Sequence, residues 1–449
     1  MIHIIEYVFC ALLFLIPWQA RIVLFPGVLN GGSWEYGTIS LYATDVLFFV
    51  ILILSVVWAV RVSCNECAEN RHCEPRHSGA WQSTSRLLRR FASRNDRRII
   101  ILVAFAFLSV LWSTYHGVAM YAALKLFEGV ALMFLISYLP LNRTRLLWAL
   151  IAGAVAQSVL VVVQFSTQHV TSFLWSGIAP QNPMTPGVAV IEAGGRRWLR
   201  AYGSFPHPNI LGGYFSIVLI LVLGYWKDMT NAMWRVSRTV TVSQYAVVTL
   251  SVSLIAIGLF LSFSRAAWIA LVVGIVIWFI QHRAWQMPVV RIGGAAILAI
   301  GILYSALFWP LIASRVTGVG RLELKSTSER MQYIRESVAL VRSNALFGVG
   351  IGNYTAAVHD ELRPNNPSWS YQPVHNVFLL VFAELGFIGV VLFILLLRQL
   401  ATRNSKLLIL NSALIILFLF DHSFWTLHSG ILLFWLAIAL QKNQENKGL

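Results

Sequence analysis

Apolar runs of roughly 17 to 25 residues, each the length an α-helix needs to cross about 30 Å of hydrocarbon, recur from one end of this 449-residue chain to the other. Backbone amides in a bilayer core are satisfied only within a helix or a closed barrel, so runs of this length predict helices. Composition points the same way. Charged residues make up 12% of the chain, against about 25% in soluble domains, and the mean hydropathy is +0.70. The expected fold class is an all-α polytopic membrane protein, a single integral membrane domain over residues 1–449.

Taken in order, the runs predict twelve spans: 5–24, 41–60, 99–116, 118–139, 146–165, 209–226, 244–263, 266–281, 292–311, 376–397, 406–421 and 424–441. No Lys or Arg precedes the first run and no small-residue cleavage site follows it, so it is expected to be a retained span rather than a signal peptide. The even-numbered connections hold the basic residues. They include the 61–98 loop with nine arginines, then Arg143 and Arg145, Arg235 and Arg238, Arg283 and Arg291, and Arg398 and Arg403. Excess Lys and Arg marks the cytoplasmic side, which places both termini there.

Two segments on the opposite side break that pattern, residues 166–209 and the long segment 312–375 between spans nine and ten, which together hold ten Lys or Arg. Long loops translocate largely regardless of charge, so the topology stands and the basic residues need another use. Binding an anion is the use that suits them. The net charge of +16 is scattered through membrane loops rather than gathered on one soluble face, so contact with anionic membrane lipids is expected and nucleic acid is not.

The 61–98 loop carries Cys64, Cys67, His72 and His77 at C-x2-C-x4-H-x4-H. This approaches zinc-ligand spacing but departs from finger and ribbon patterns, and the plainer reading is a reduced, solvated loop with no metal.

Four stretches carry chemistry. The first long segment ends at Arg200, His207, Pro208 and Asn209, at the mouth of the sixth span, where free helix N–H groups favour negative charge. Arg265 stands in L-S-F-S-R-A-A-W between spans seven and eight, with no acidic residue near it in sequence. An arginine at depth needs a partner or a wet cavity, and a phosphate would fit its planar fork, although a distant carboxylate would also serve.

The 328–389 block is the most polar part of the second half. Arg330 begins it in S-E-R, followed by Met331, Ile334, Val338 and Val341 at helical spacing, with Arg335 and Arg342 seven apart on one side. That pattern predicts an amphipathic helix at the membrane surface. G-V-G-I-G-N-Y at 348–354 lacks nucleotide-loop spacing and predicts a tight turn whose amides could meet phosphate. His375 and Asn376 then open the tenth span in H-N-x9-G-x-x-G. A histidine there can take a proton near neutral pH, as activation of a sugar hydroxyl requires, although a histidine at a helix start is also a common cap.

On these motifs, R-x-x-G-x-x-x-H-P-N from Arg200, F-S-R-A-A-W, S-E-R, L-F-G-V-G-I-G-N-Y and H-N-x9-G-x-x-G, the chain resembles the O-antigen ligase family, which shares a C-terminal region with Wzy-type O-antigen polymerases. The resemblance implies a C-type glycosyltransferase fold and a metal-independent, inverting transfer that needs no cofactor. A glycan would move from an undecaprenyl diphosphate carrier to lipid A core or another glycan acceptor. The enzyme would span a bacterial inner membrane with its active site facing the periplasm. Arg200, Arg265 and Arg330 would hold the diphosphate, and His375 would orient or deprotonate the acceptor hydroxyl. His207, Asn209, Arg335 and Asn376 are further expected substrate contacts. The alternatives are a Wzy-like polymerase and, in another class, a flippase for the lipid-linked glycan. A flippase would carry its charges inside the spans, where, away from the span ends, the expected set is only Asp45, Lys125, Glu128 and Glu384.

Overall fold

The computed structural model describes residues 1–69, 96–173, 177–234, 241–281, 301–318, 320–400 and 405–441. The Cys64, Cys67, His72 and His77 set lies largely outside them, as do the first residues of the expected ninth span.

Helices dominate, as the apolar runs require. In chain order they are α1 (Ile2–Leu15), α2 (Ala43–Glu69), α3 (Asp96–Leu108), α4 (His116–Tyr138), α5 (Arg143–Thr167), α6 (Pro208–Trp234), α7 (Thr241–Leu261) and α8 (Arg265–Gln281). There follow α9 (Gly301–Leu307), α10 (Trp309–Thr317), α11 (Arg321–Ser343), α12 (Val377–Leu400), α13 (Ser405–Phe420) and α14 (His428–Gln441).

Among the described residues, five helices are long and apolar enough to cross a membrane: Ala43–Val62, His116–Tyr138, Arg143–Thr167, Pro208–Tyr225 and Val377–Arg398. Five further apolar helices are shorter, at 10–17 residues. The expected ninth span is broken rather than continuous, because α9 ends in a sharp bend at Phe308 before α10 and α11. The chain is thus a polytopic membrane protein.

Helix α6 is the axis of the bundle. Its spanning stretch is 78% buried, with Phe215, Ile217, Val218, Ile220 and Leu221 fully enclosed. It packs against α5, α7, α8, α13 and α14. Helix α14 lies along α4, and α1 lies between α2 and α5. Outward-facing Ile53, Val56, Leu250, Val272 and Ile280 are exposed, which suits a lipid environment rather than water.

The all-α expectation needs one amendment. The connection between α1 and α2 folds as ribbons, β1 (Arg21–Phe25) antiparallel to β4 (Ile39–Tyr42) and β2 (Val28–Leu29) to β3 (Gly32–Ser33). A third hairpin, β5 (Val190–Ala193) with β6 (Arg196–Leu199), precedes α6. The apolar-run pattern is blind to strands of two to five residues.

The glycine turn has a structural job. Gly348, Gly350 and Gly352 all have positive φ, and the Val349 and Gly350 amides donate to the Ala383 and Glu384 carbonyls of α12 at 2.9 and 2.8 Å. These carbonyls are free because α12 kinks at Gly386, with φ 64 and ψ −165. A Cβ on Gly386 would lie 2.2 Å from the Leu346 carbonyl oxygen, so only glycine fits the junction. The turn amides named above are therefore spent on α12, and not on an anion.

Candidate functional site

The kink at Gly386 and the docked glycine turn hold α11 across the mouth of α12. Ser337 donates to the Leu379 carbonyl at 3.4 Å, and Leu340 is fully buried between them. Met331, Ile334 and Val338 face outward, while Glu336 and Ser337 face inward. Glu336 is inward because Arg363 grips it at 3.0 and 3.2 Å. The surface-helix reading of α11 is consistent with its exposed apolar stripe.

Helices α6, α8, α10, α11 and α13 enclose a cavity of about 210 Å³. Its polar wall is Asn209, Ser264, Arg265, Arg315, Arg330 and Asp421. Arg265 and Arg315 share one carboxylate, Glu323, which is 7% exposed. Arg265 Nη2 reaches it at 3.0 Å, and Arg315 Nη1 pairs with its other oxygen. Their backbone anchors also differ, since Arg265 Nη1 donates to the Arg315 carbonyl and Arg315 Nη2 to the Phe263 carbonyl. Arg265 thus has the distant carboxylate that its local sequence lacks. Arg330 is different. Among the described residues no hydrogen bond or ion pair engages its guanidinium, although it lines the same cavity. Burial lowers its pKa, and Asp421 works against that shift.

Arg200 stands behind the cavity wall, not on it. It is 5% exposed, and its Nε donates to the Ser262 carbonyl at 3.0 Å and its Nη2 to Asn209 Oδ1 at 2.6 Å. Burial and the charge of Arg315 hold its pKa well below the arginine norm. Its reach toward a ligand passes through Asn209. His207 accepts the Asn209 amide on Nδ1 at 3.1 Å, and burial with Arg200 nearby pushes its pKa down to about 3, so it is neutral.

His375 sits between α11 and the turn after α13. Its ring stacks on Tyr333, one helical turn beyond Arg330, with centroids 5.8 Å apart and planes within 8°. Its Nδ1 lies 3.2 Å from the Pro373 carbonyl. A carbonyl only accepts, so Nδ1 carries the proton and Nε2 is the basic nitrogen. Burial lowers the His375 pKa, opposed by Asp421 and supported by Arg330. The edge of His422 meets the same ring at 5.0 Å.

Like Arg200, the expected residues His207, His375, Arg335 and Asn376 do not line this cavity. Arg335 is exposed on the outer side of α11, because the helix turns its Glu336 and Ser337 face inward. Asn376 is occupied as a cap of α12, accepting the Leu379 amide on Oδ1 at 3.0 Å. Conversely, the sequence reading passed over Arg315, Glu323, Tyr333, Asp421 and His422. Asp421 and His422 carried a usable signal, a D-H pair that closes an apolar run and therefore needs a reason to be there. Burial favours the neutral acid at Asp421. The imidazoles of His422 and His375 and the Ser423 amide outweigh it and hold the carboxyl below its usual range. His422 is pushed down to about 3 by burial and by His375.

No curated protein matches this chain. A solved structure described as "Structural coordination of polymerization and crosslinking by a peptidoglycan synthase complex" is loosely similar, at 16% identity and a TM-score of 0.35 over 78% of this chain and 98% of that one. The family model described as O-Antigen ligase matches residues 250–394. That stretch holds Arg265, Arg330, the glycine turn and His375, and bears out the family resemblance carried by those motifs. Over residues 250–394 the chain is thus similar to the O-antigen ligase family, and the match supports a membrane enzyme family that processes glycans.

Proposed function

We propose that the chain is an O-antigen ligase, a membrane glycosyltransferase that moves a glycan from an undecaprenyl diphosphate carrier to a hydroxyl of lipid A core. The observation that carries this reading is the unpaired guanidinium of Arg330 on a cavity it shares with Arg265 and Arg315, one helical turn from the tyrosine that stacks on His375. A diphosphate gives that fork the bidentate partner it lacks. Arg265 and Arg315 add charge that Glu323 only partly neutralises.

In this mechanism the acceptor oxygen attacks the anomeric carbon from the face opposite the diphosphate, so the configuration inverts. The new glycosidic C–O bond forms as the anomeric C–O bond to the diphosphate breaks. The hydroxyl proton passes to His375 Nε2, and the departing negative charge falls on the arginines, whose positions are already fixed. A lowered pKa keeps His375 in its basic form at neutral pH. Stacking on Tyr333 and the Pro373 bond fix its ring and tautomer. The same reading places the cavity at the periplasmic face of a bacterial inner membrane, with both termini cytoplasmic and twelve membrane passes.

The test is genetic. The gene is deleted in its host and restored as wild type or His375→Ala, and lipopolysaccharide and undecaprenyl-linked glycans are resolved side by side. Long glycan stranded on the carrier with bare lipid A core is the ligase result. Core capped by one repeat would assign a polymerase instead. Restoration by His375→Ala would remove the histidine from the chemistry.

A further inference from the structure

A second cavity lies on the other side of the turn that carries Asp421 and His422. Asp421, Ser423 and Phe424 line the arginine cavity, whereas Trp425, Thr426 and Leu427 line this one. The His422 ring, in the turn between those two sets of lining residues, is edge-on to His375 at 5.0 Å and to Tyr36 of the second cavity at 5.8 Å. Pro373, which holds His375 Nδ1, also lines it.

The two cavities differ in charge. The arginine cavity carries three guanidinium groups against Asp421. In the second, Arg21 and Lys125 are balanced by Glu35 and Glu384. Arg21 is closed onto Glu35 at 2.6 and 3.0 Å, and Lys125 onto Asp45 at 2.5 Å and Glu128 at 3.2 Å. No cation there is left over for an anion. The ammonium of Lys125 also stands among Asp45, Glu128 and His428, the groups whose spacing could otherwise suit a metal ion.

What remains is a pocket of hydroxyls and aromatic faces with Glu384, whose carboxylate accepts from Trp425 Nε1 at 2.8 Å. Tyr36 donates to Gln372 at 3.0 Å, Tyr121 to the Ser40 carbonyl at 3.0 Å, and Tyr42 stacks on His428 with centroids 4.4 Å apart. Apolar ring faces with a few fixed polar groups and balanced charge suit a neutral polyhydroxylated ring. They do not suit a phosphate or a bare acyl chain.

The geometry points to this second cavity, between the β1–β4 ribbon and helices α4 and α14, as the binding site for a neutral sugar unit of the acceptor, with the His375 and His422 pair between it and the leaving-group cavity. This inference rests on the transferase reading and extends it to the acceptor. It explains why the ribbon between α1 and α2 is built over the site, since Arg21, Glu35, Tyr36, Thr38 and Tyr42 all come from it.

The test fills the pocket without touching the arginine cavity. Ala122 lines the second cavity on α4, so Ala122→Phe should occlude it and Ala122→Ser should leave it open. Full-length protein in nanodiscs is titrated with undecaprenyl diphosphate and, separately, with core oligosaccharide from the host's rough lipopolysaccharide after enzymatic removal of phosphate. The expected result is undecaprenyl diphosphate affinity within about twofold of wild type in both variants, and oligosaccharide affinity lowered at least about tenfold in Ala122→Phe only. Equal oligosaccharide binding by Ala122→Phe and wild type, with carrier binding intact, overturns the assignment. So does binding by wild type that requires the phosphates. Failure of wild type to bind undecaprenyl diphosphate would instead strike the transferase reading itself and take the acceptor site with it.

Discussion

Glu323→Gln separates what holds the arginine cavity together from what the cavity is for. Glu323 is 7% exposed and compensates Arg265 and Arg315 at once. Removing one partner of a buried ion pair costs about 3–5 kcal/mol when nothing replaces it. Here the amide keeps one acceptor oxygen, both arginines keep their carbonyl partners at Phe263 and Arg315, and the Arg265 side chain is 38% exposed and so screened. The expected loss is about 2 kcal/mol, nearly all of it from Arg315. Diphosphate binding should move the other way, because the ligand no longer competes with a carboxylate for two guanidinium groups. A gain of about 1 kcal/mol, near fivefold in affinity, is expected. Thermal unfolding of the detergent-solubilised protein with and without undecaprenyl diphosphate reads both quantities. Destabilisation accompanied by weaker diphosphate binding would refute the reasoning, by showing that Glu323 supports the ligand site rather than standing in for the ligand.

Arg330→Lys should keep the charge and lose the bidentate fork, lowering transfer about 100-fold in a reconstituted glycan-transfer assay with little change in thermal stability, since Arg330 has no partner among the described residues. Stability should fall with acidification. His207 and His422 are held near 3 by burial, whereas in the unfolded chain each takes a proton around 6.5. The unfolded state then binds more protons throughout that interval, so unfolding free energy drops as pH falls from about 6.5 toward 3. A denaturation midpoint flat across that window would contradict the burial of these rings. Asn376→Ala should cost about 1 kcal/mol as a lost helix cap while leaving undecaprenyl diphosphate affinity unchanged, because its side chain serves α12. A loss of affinity without a loss of stability in the same thermal-shift series would return Asn376 to the site.

Sequence spacing was a good guide wherever one element carries the information. The positions of α4, α5 and α12 follow from runs of apolar residues, since each must satisfy its own backbone in lipid. Arg265, Arg330 and His375 stood out because a charge or an imidazole next to a span is costly. The same reasoning grouped Arg335 and Asn376 with them, whereas the structure turns Arg335 outward and uses Asn376 as a helix cap. Helical spacing says which residues share a face but not which face turns inward. On α11 that choice is made by Arg363 gripping Glu336, a contact 27 residues apart.

By itself, then, the sequence determined a membrane-embedded helical bundle, the basic segments that connect its helices and the residue types able to hold an anion and move a proton. Each of these follows from local hydropathy and from the cost of a charge beside a bilayer. Only the tertiary structure decided which arginines meet. It committed Arg200 to Asn209, tied Arg265 and Arg315 to Glu323, and left Arg330 without an ion-pair partner among the described residues. It also brought Asp421 and His422 to His375 from another span and raised a β-ribbon over a second cavity. These are pairings between groups tens to hundreds of residues apart, and their energies depend on distance and burial in three dimensions, which no local pattern encodes.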